Sequence, residues 1–108
     1  MAHFELMILT KAAEGRRDEL AHWYDTVHIP DHLRVPGYVS AKRFEVDRLD
    51  GPAESLNWDF MTVYDLETDD PSAVIAEARR RLGTDEMPVS AALDMTMTLA
   101  LLATPVGP

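Results

Sequence analysis

Residues 16–46 read RRDELAHWYDTVHIPDHLRVPGYVSAKRFEV, and within that stretch the spacing of the apolar residues changes once. Leu20, Tyr24, Val27 and Asp31 fall at i, i+4, i+7 and i+11, which is one helical face, with Trp23 beside it and His28 on its edge. Pro30 cannot donate to the carbonyl of Thr26, so the helix is expected to end or kink there. Pro36-Gly37 closes the connection. Residues 38–46 then read as a strand, with Tyr38, Ser40, Lys42, Phe44 and Val46 on one face.

Working outward from this pair gives the rest of the order. Upstream, residues 4–10 are almost continuously apolar with Glu5 as the sole charge, which suits a short buried strand. Downstream, residues 47–57 are polar and contain Asp50-Gly51-Pro52, a loop signal. Residues 58–66 form a third strand, with Trp58, Phe60, Thr62 and Tyr64 on one face and Asp59, Met61, Val63 and Asp65 on the other. Asp70 as N-cap and Pro71 at the first helical position start a second helix whose apolar face is Val74, Ile75, Ala78 and Leu82. Arg79, Arg80 and Arg81 lie in its last turn, where cations suit the dipole, and read as a solvated helix end. Gly83 stops the helix, and residues 95–103 form a last strand.

The resulting order, βαββαβ, is the ferredoxin-like α+β arrangement with a four-stranded antiparallel sheet. Two helices cover one sheet face, so the other should be polar, yet no strand offers a clearly polar side. The last strand has Met95, Met97, Leu99 and Leu101 on one side and Thr96, Thr98, Ala100 and Leu102 on the other. A sheet apolar on both faces needs a second cover, and a second copy of the chain, sheet against sheet in a two-fold homodimer, is the simplest.

The 108 residues fit one domain, 1–108, near the common domain size. A formal net charge of -9 argues against nucleic-acid and anionic-membrane partners. With no cysteine, disulfides, thiolate metal sites and a cysteine nucleophile are excluded. The start of the chain lacks a signal-peptide pattern and no apolar run is long enough to span a membrane, so a cytoplasmic protein is expected.

Trp23 to His32 holds two of the four histidines, two carboxylates and two aromatic residues. A histidine titrates near neutrality, Tyr24 lies one turn before His28, and Asp31 lies three residues after it. Together they can form an acid/base group, with Asp31 orienting or charging the imidazole. The competing reading has Tyr24 in the core, Asp31 capping a turn and His28 bonded to a backbone carbonyl. His28 and His32, at i, i+4 with Asp31 between them, also have metal-ligand spacing, although Pro30 interrupts the helix and no third distant ligand is evident. Trp58 and Tyr64 are candidate walls of an aromatic pocket. Arg43 is a candidate carboxylate holder, or else a cross-strand partner of Asp59 or Asp65. No phosphate-binding glycine loop, nucleotide fingerprint or Ser/His/Asp arrangement is present.

The run Trp23-Tyr24-Asp25-Thr26-Val27-His28-Ile29-Pro30 resembles the aromatic-aromatic-x-x-x-His-x-Pro motif of the EthD-like family in the dimeric α/β barrel superfamily. The motif histidine maps onto His28 and the aromatic one turn before it onto Tyr24. Where the family commonly has Leu after the proline, this chain has Asp31. The resemblance implies a homodimer whose two sheets close one barrel, with a pocket in each subunit between helices and sheet. It also implies kinship with small cofactor-free enzymes such as polyketide cyclases, decarboxylases, muconolactone isomerases and antibiotic-biosynthesis monooxygenases.

These readings lead to an enzyme without metal or cofactor, acting on a small hydrophobic, aromatic or polyketide-like carbonyl compound. The reaction is cyclisation, isomerisation, dehydration or decarboxylation. His28 is the expected acid/base, Asp31 its orienting partner and Tyr24 a hydrogen-bond donor, with Trp23, Trp58, Tyr64, Arg43 and His32 binding substrate. The alternatives are a non-catalytic small-ligand-binding or accessory protein, and a metal-dependent enzyme using His28, Asp31 and His32, or a haem-dependent one for which the sequence singles out no axial ligand.

Overall fold

A computed structural model describes residues 2–52 and 57–107. The chain runs β1 (His3–Ala12), α1 (Arg17–Trp23), a π-helical turn (Tyr24–His28), α2 (Ile29–Leu33), β2 (Tyr38–Glu45), β3 (Phe60–Glu67), α3 (Pro71–Arg81) and β4 (Leu93–Ala103). The four strands form one antiparallel sheet in the order β2-β3-β1-β4. This is the ferredoxin-like α+β architecture expected from the order of elements. Of the predicted loop 47–57, residues 53–56 lie outside the described residues.

The first helix does not stop at Pro30. Helical backbone continues to Leu33, because the chain widens to a π turn just before the proline. The Ile29 amide donates to the Tyr24 carbonyl, five residues back, and Pro30 then sits in the first turn of α2, where a missing amide proton costs little. A π turn changes which side chains meet. In an α-helix, residues five apart diverge by roughly 140°. Here Trp23 and His28 stack, with ring centroids 4.2 Å apart and planes 20° off parallel.

The helix-facing side of the sheet carries Leu6, Ile8 and Thr10 of β1 opposite Tyr64, Thr62 and Phe60 of β3. Tyr24, Tyr64, Phe60, Leu20 and Leu66 are all buried to within 2% of full burial. Each buried leucine contributes about 2 kcal/mol of transfer free energy. Asp70 caps α3 as expected, its carboxylate accepting from the Ala73 amide at 3.1 Å. Gly37, at φ +102°, lets the chain after α2 pass under α3: a Cβ there would stand 2.7 Å from a Val74 methyl.

The expected face of β2 is split. Tyr38 pairs with Leu66, but Ser40 pairs with Asp65, so one extra residue is accommodated between them. Tyr38 therefore points toward the helices, while Ser40, Lys42 and Phe44 pair with Asp65, Val63 and Met61 on the opposite face. Beyond the irregularity, Ala41 and Arg43 take the helix side. The third strand starts at Phe60, leaving Trp58 in the segment before it.

The uncovered face is apolar at its centre. Met7 pairs with Val63 and Leu101, and Leu9 with Met61 and Leu99, while Phe44 sits beside Met61. Among these, Phe44, Leu99 and Leu101 are exposed. No helix among the described residues is long and apolar enough to cross a membrane.

Candidate functional site

A cavity of about 220 Å³ lies between the helices and the sheet. Its inner wall is built by Tyr24 and His28 from the π turn, His32 from α2, and Thr10 and Tyr64 from β1 and β3. These are buried or half-buried side chains. The outer boundary is Arg79 and Leu82 at the end of α3 and Met95 on β4, all exposed, so the cavity opens between those two elements.

The aromatic rings form a continuous train. His28 lies flat on Trp23 and meets Tyr24 edge-on at 5.4 Å and His32 edge-on at 4.4 Å. His32 in turn packs on Tyr64 at 4.7 Å and Tyr38 at 5.3 Å. The π turn itself is braced from the sheet. Arg43 donates through two nitrogens to the Asp25 carboxylate, at 2.9 Å each, and its guanidinium lies 4.7 Å from the centre of the Phe60 ring.

Polar atoms in this wall differ in how they are satisfied. The Tyr24 hydroxyl donates to Thr10 Oγ1 at 3.0 Å. His32 Nδ1 is 3.1 Å from the His28 carbonyl. In contrast, His28 Nδ1 and the Tyr64 hydroxyl are fully buried without a hydrogen-bond partner among the described residues. Buried polar groups are nearly always paired, and leaving one unpaired costs about 1–3 kcal/mol. Two of the residues that line one cavity thus carry an unpaired polar atom just behind its surface, which makes that wall a candidate place for a polar ligand atom.

Burial sets the charge state of these groups. It drives the His28 imidazole down to about 3, and the neighbouring His32 pushes the same way. His32 is also lowered by burial, against the opposing pull of the His28 carbonyl and the Asp31 carboxylate. Burial raises Tyr64 well above the ordinary phenol range and pushes Tyr38 up to about 12. It raises Tyr24 as well, with the Thr10 bond working against it. The cavity wall at neutral pH is therefore made of neutral imidazoles and neutral phenols.

Several expected roles change hands. Asp31 does not hold the His28 ring: its Oδ1 takes the Arg34 guanidinium one turn on, and its other oxygen is buried without a partner. Arg43 pairs with Asp25 rather than with Asp59, Asp65 or a ligand, because the β2 irregularity turns it toward the helices. Trp58 borders a separate shallow depression with Leu9 and Val46. Trp23 backs His28 without reaching the cavity wall. The metal reading fails on geometry. His32 Nδ1 is engaged with the His28 carbonyl and one Asp31 oxygen with Arg34, and the ligand atoms of His28, Asp31 and His32 do not come within 4.8 Å of one another as a set. Among the described residues, the three groups close enough to share a cation are His3, Glu5 and Asp65, on the sheet surface.

Sequence spacing brought Tyr24, His28 and His32 together but missed Thr10, Tyr38 and Arg79. Thr10 shares the Leu6-Ile8 face of β1, a signal available from alternation. Tyr38 and Arg79 come from distant elements that only the tertiary fold unites.

The two tyrosines should respond oppositely to loss of their hydroxyls. Tyr24→Phe breaks a buried bond and is expected to cost about 1 kcal/mol. Tyr64→Phe removes an orphan and should leave the urea midpoint unchanged or raise it. A midpoint that falls equally in both variants would show that Tyr64 has a structural partner.

No protein-family model and no curated protein matches the chain. Solved structures do. A candidate monooxygenase from Shewanella loihica superposes with a TM-score of 0.63 at 16% identity, over 99% of this chain and 97% of that one. An ethyl tert-butyl ether degradation (EthD) family protein from Bacillus halodurans gives 0.51 at 15% identity, over 96% and 99%. A dimeric ferredoxin-like protein of unknown function from Thermobifida fusca gives 0.53 at 15% identity, over 96% and 92%. At this identity the likeness is one of fold, and the chain is a ferredoxin-like α+β protein with a cavity between its helices and its sheet.

Proposed function

We propose that the protein is a small-molecule enzyme that moves a proton next to a carbonyl group, with His28 as the base. The carrying observation is that two residues lining one largely apolar cavity, His28 and Tyr64, each hold a buried polar atom with no partner among the described residues, Nδ1 and the hydroxyl. A neutral imidazole can take a proton from carbon. A neutral phenol can donate a hydrogen bond to the carbonyl oxygen as negative charge builds there. The charge forming on that oxygen offsets the low basicity that burial imposes on His28. Water-poor surroundings strengthen both interactions. Cyclisation, isomerisation, dehydration and decarboxylation of a carbonyl compound all use this arrangement. The relation to the EthD family neighbour supports the reading at the level of fold.

The working form is a homodimer packed through the uncovered sheet face. The apolar centre of that face supports it, as does the description of the Thermobifida fusca neighbour as dimeric.

One observation favours a second reading, a protein that binds such a molecule without changing it. Catalytic imidazoles commonly have an orienting partner, and Asp31 is given to Arg34 instead. Proton exchange separates the two readings. Phenylacetone in deuterium oxide should lose its α-carbon protons faster with the protein than in buffer, as followed by proton NMR. His28→Ala should lower that acceleration about a hundredfold, the lower end of what a positioned base contributes. Saturable binding of phenylacetone without exchange would establish the binding reading instead.

A further inference from the structure

Arg79 stands out in the stripe of α3 that faces the cavity. Ile75, Ala78, Arg79 and Leu82 recur at i, i+3, i+4 and i+7 and all line it. Arg79 is exposed and solvated, but it differs from its neighbours, which have protein partners. Arg80 donates to both oxygens of Glu77 at 2.9 and 2.8 Å, and Arg81 donates to Glu77 at 2.6 Å. Both also lie within 4 Å of Glu86. Among the described residues no carboxylate is within ion-pair distance of Arg79.

The charge around the cavity runs against that of the chain. The sequence has 19 acidic residues and a formal net charge of -9. Among the described residues no acidic side chain lines the cavity; Arg79 is the one permanently charged group among them that does, and it stands at the mouth. Its charge is felt inside, at the Tyr38 hydroxyl. The remaining wall is apolar or aromatic, with neutral polar groups deep within it. Such a site is amphipathic along its length, and at its mouth an anion would meet a fixed cation on a chain whose net charge otherwise repels it.

We propose that the ligand of this cavity is an apolar, ring-bearing carboxylate that enters body first and leaves its carboxylate on the Arg79 guanidinium. Arginine suits the task because its planar fork donates two parallel hydrogen bonds to a carboxylate. The inference rests on the cavity being the ligand site, and it adds the charge and polarity of the molecule.

Two probes of matched shape test it, 2-naphthoate and the neutral 2-naphthamide, each titrated calorimetrically into the purified protein at pH 7. The wild type should bind the carboxylate roughly tenfold tighter than the amide, the size of one charge-assisted contact near a surface. Arg79→Gln should bring the ratio close to one by weakening the carboxylate alone. Arg80→Gln removes the same charge one residue along and should keep the wild-type ratio. A ratio unchanged in Arg79→Gln, or a wild type without preference for the carboxylate, overturns the inference and leaves the cavity reading standing. Failure of both probes to bind the wild type overturns both together.

Discussion

Lowering the pH from 7 to 5 should cost the folded state about 2 kcal/mol through His28 alone. Burial holds this imidazole near 3 in the native protein, whereas in the unfolded chain it titrates at the ordinary 6.5. Between those values the unfolded state carries a proton that the native state refuses. Stability therefore rises with pH across the window and falls as pH drops below 6.5, at up to about 1.4 kcal/mol per unit. His32 is shifted in the same direction and adds to the slope. The lowered carboxylates, Asp25, Glu77 and Asp94, respond mainly below pH 5, because their unfolded values lie near 4. A loss of 2 kcal/mol is a large fraction of the 5–15 kcal/mol typical of a small domain. Urea midpoints at pH 7 and pH 5, with an unchanged denaturant slope, give the measurement. His28→Phe, which keeps a ring against Trp23 and has no proton to bind, should leave only the part due to His32. A wild-type midpoint equal at the two pH values would mean that the imidazole reaches water or finds an acceptor in solution.

The same burial ties stability to function. A histidine that must stay neutral inside a protein is a standing cost at acid pH, and one with an unpartnered nitrogen is a cost at any pH. Replacing it by an apolar ring would make the fold more tolerant. Groups whose local environment is unfavourable to the fold concentrate at sites that bind or react. His28 and Tyr64 meet that description together, whereas Tyr24, tied to Thr10, and Arg43, tied to Asp25, are integrated into the frame.

How legible the molecule was from its sequence depended on the range of the interaction. The α3 start was readable because Asp70 and Pro71 act within one turn. The neighbourhood of Tyr24 and His28 was readable because i, i+4 spacing survives in the π turn as an edge-on contact. The stacking of Trp23 on His28 was not, since it needs the wider turn, and no residue type announces one. Strict alternation grouped Tyr38 with Ser40, Lys42 and Phe44, whereas the irregularity after Tyr38 leaves those three together and sends Tyr38 to the helix side with Ala41 and Arg43. Alternation offers Arg43 only cross-strand partners or a ligand, whereas its side chain reaches Asp25 in the π turn, a contact that depends on how the helix packs on the sheet. Asp31 was matched to His28 by separation along the chain, but Arg34, at the same separation on the other side, offers a permanent charge. The role of Arg79 required knowing that α3 and β4 frame the cavity mouth, which is a tertiary fact.

The uncovered sheet face carries the second large effect. Leu9 lies at its middle, paired with Met61 on one side and Leu99 on the other, and its side chain is half-exposed in the single chain. In an isologous two-fold contact each altered residue is present twice, so Leu9→Glu would bury two carboxylates in an apolar interface. The effective penalty is several kcal/mol per unpaired ion. The dimer should therefore weaken at least about a thousandfold. In the separated chain the same side chain faces water and leaves the helix-side core untouched, so the fold should persist. Light scattering at micromolar concentration is expected to give twice the 12.1 kDa chain mass for the wild type and the single mass for Leu9→Glu. Their circular dichroism spectra should be alike. Ser72→Glu, on the exposed side of α3, adds an equal charge and should remain dimeric. A monomeric wild type would remove the homodimer from the proposal and leave an apolar sheet face open to water. A dimeric Leu9→Glu would move the contact to another surface. A dimer formed through the uncovered face would leave the cavity mouth between α3 and β4 on the far side of each sheet, so Leu9→Glu should leave the carboxylate preference of the cavity unchanged.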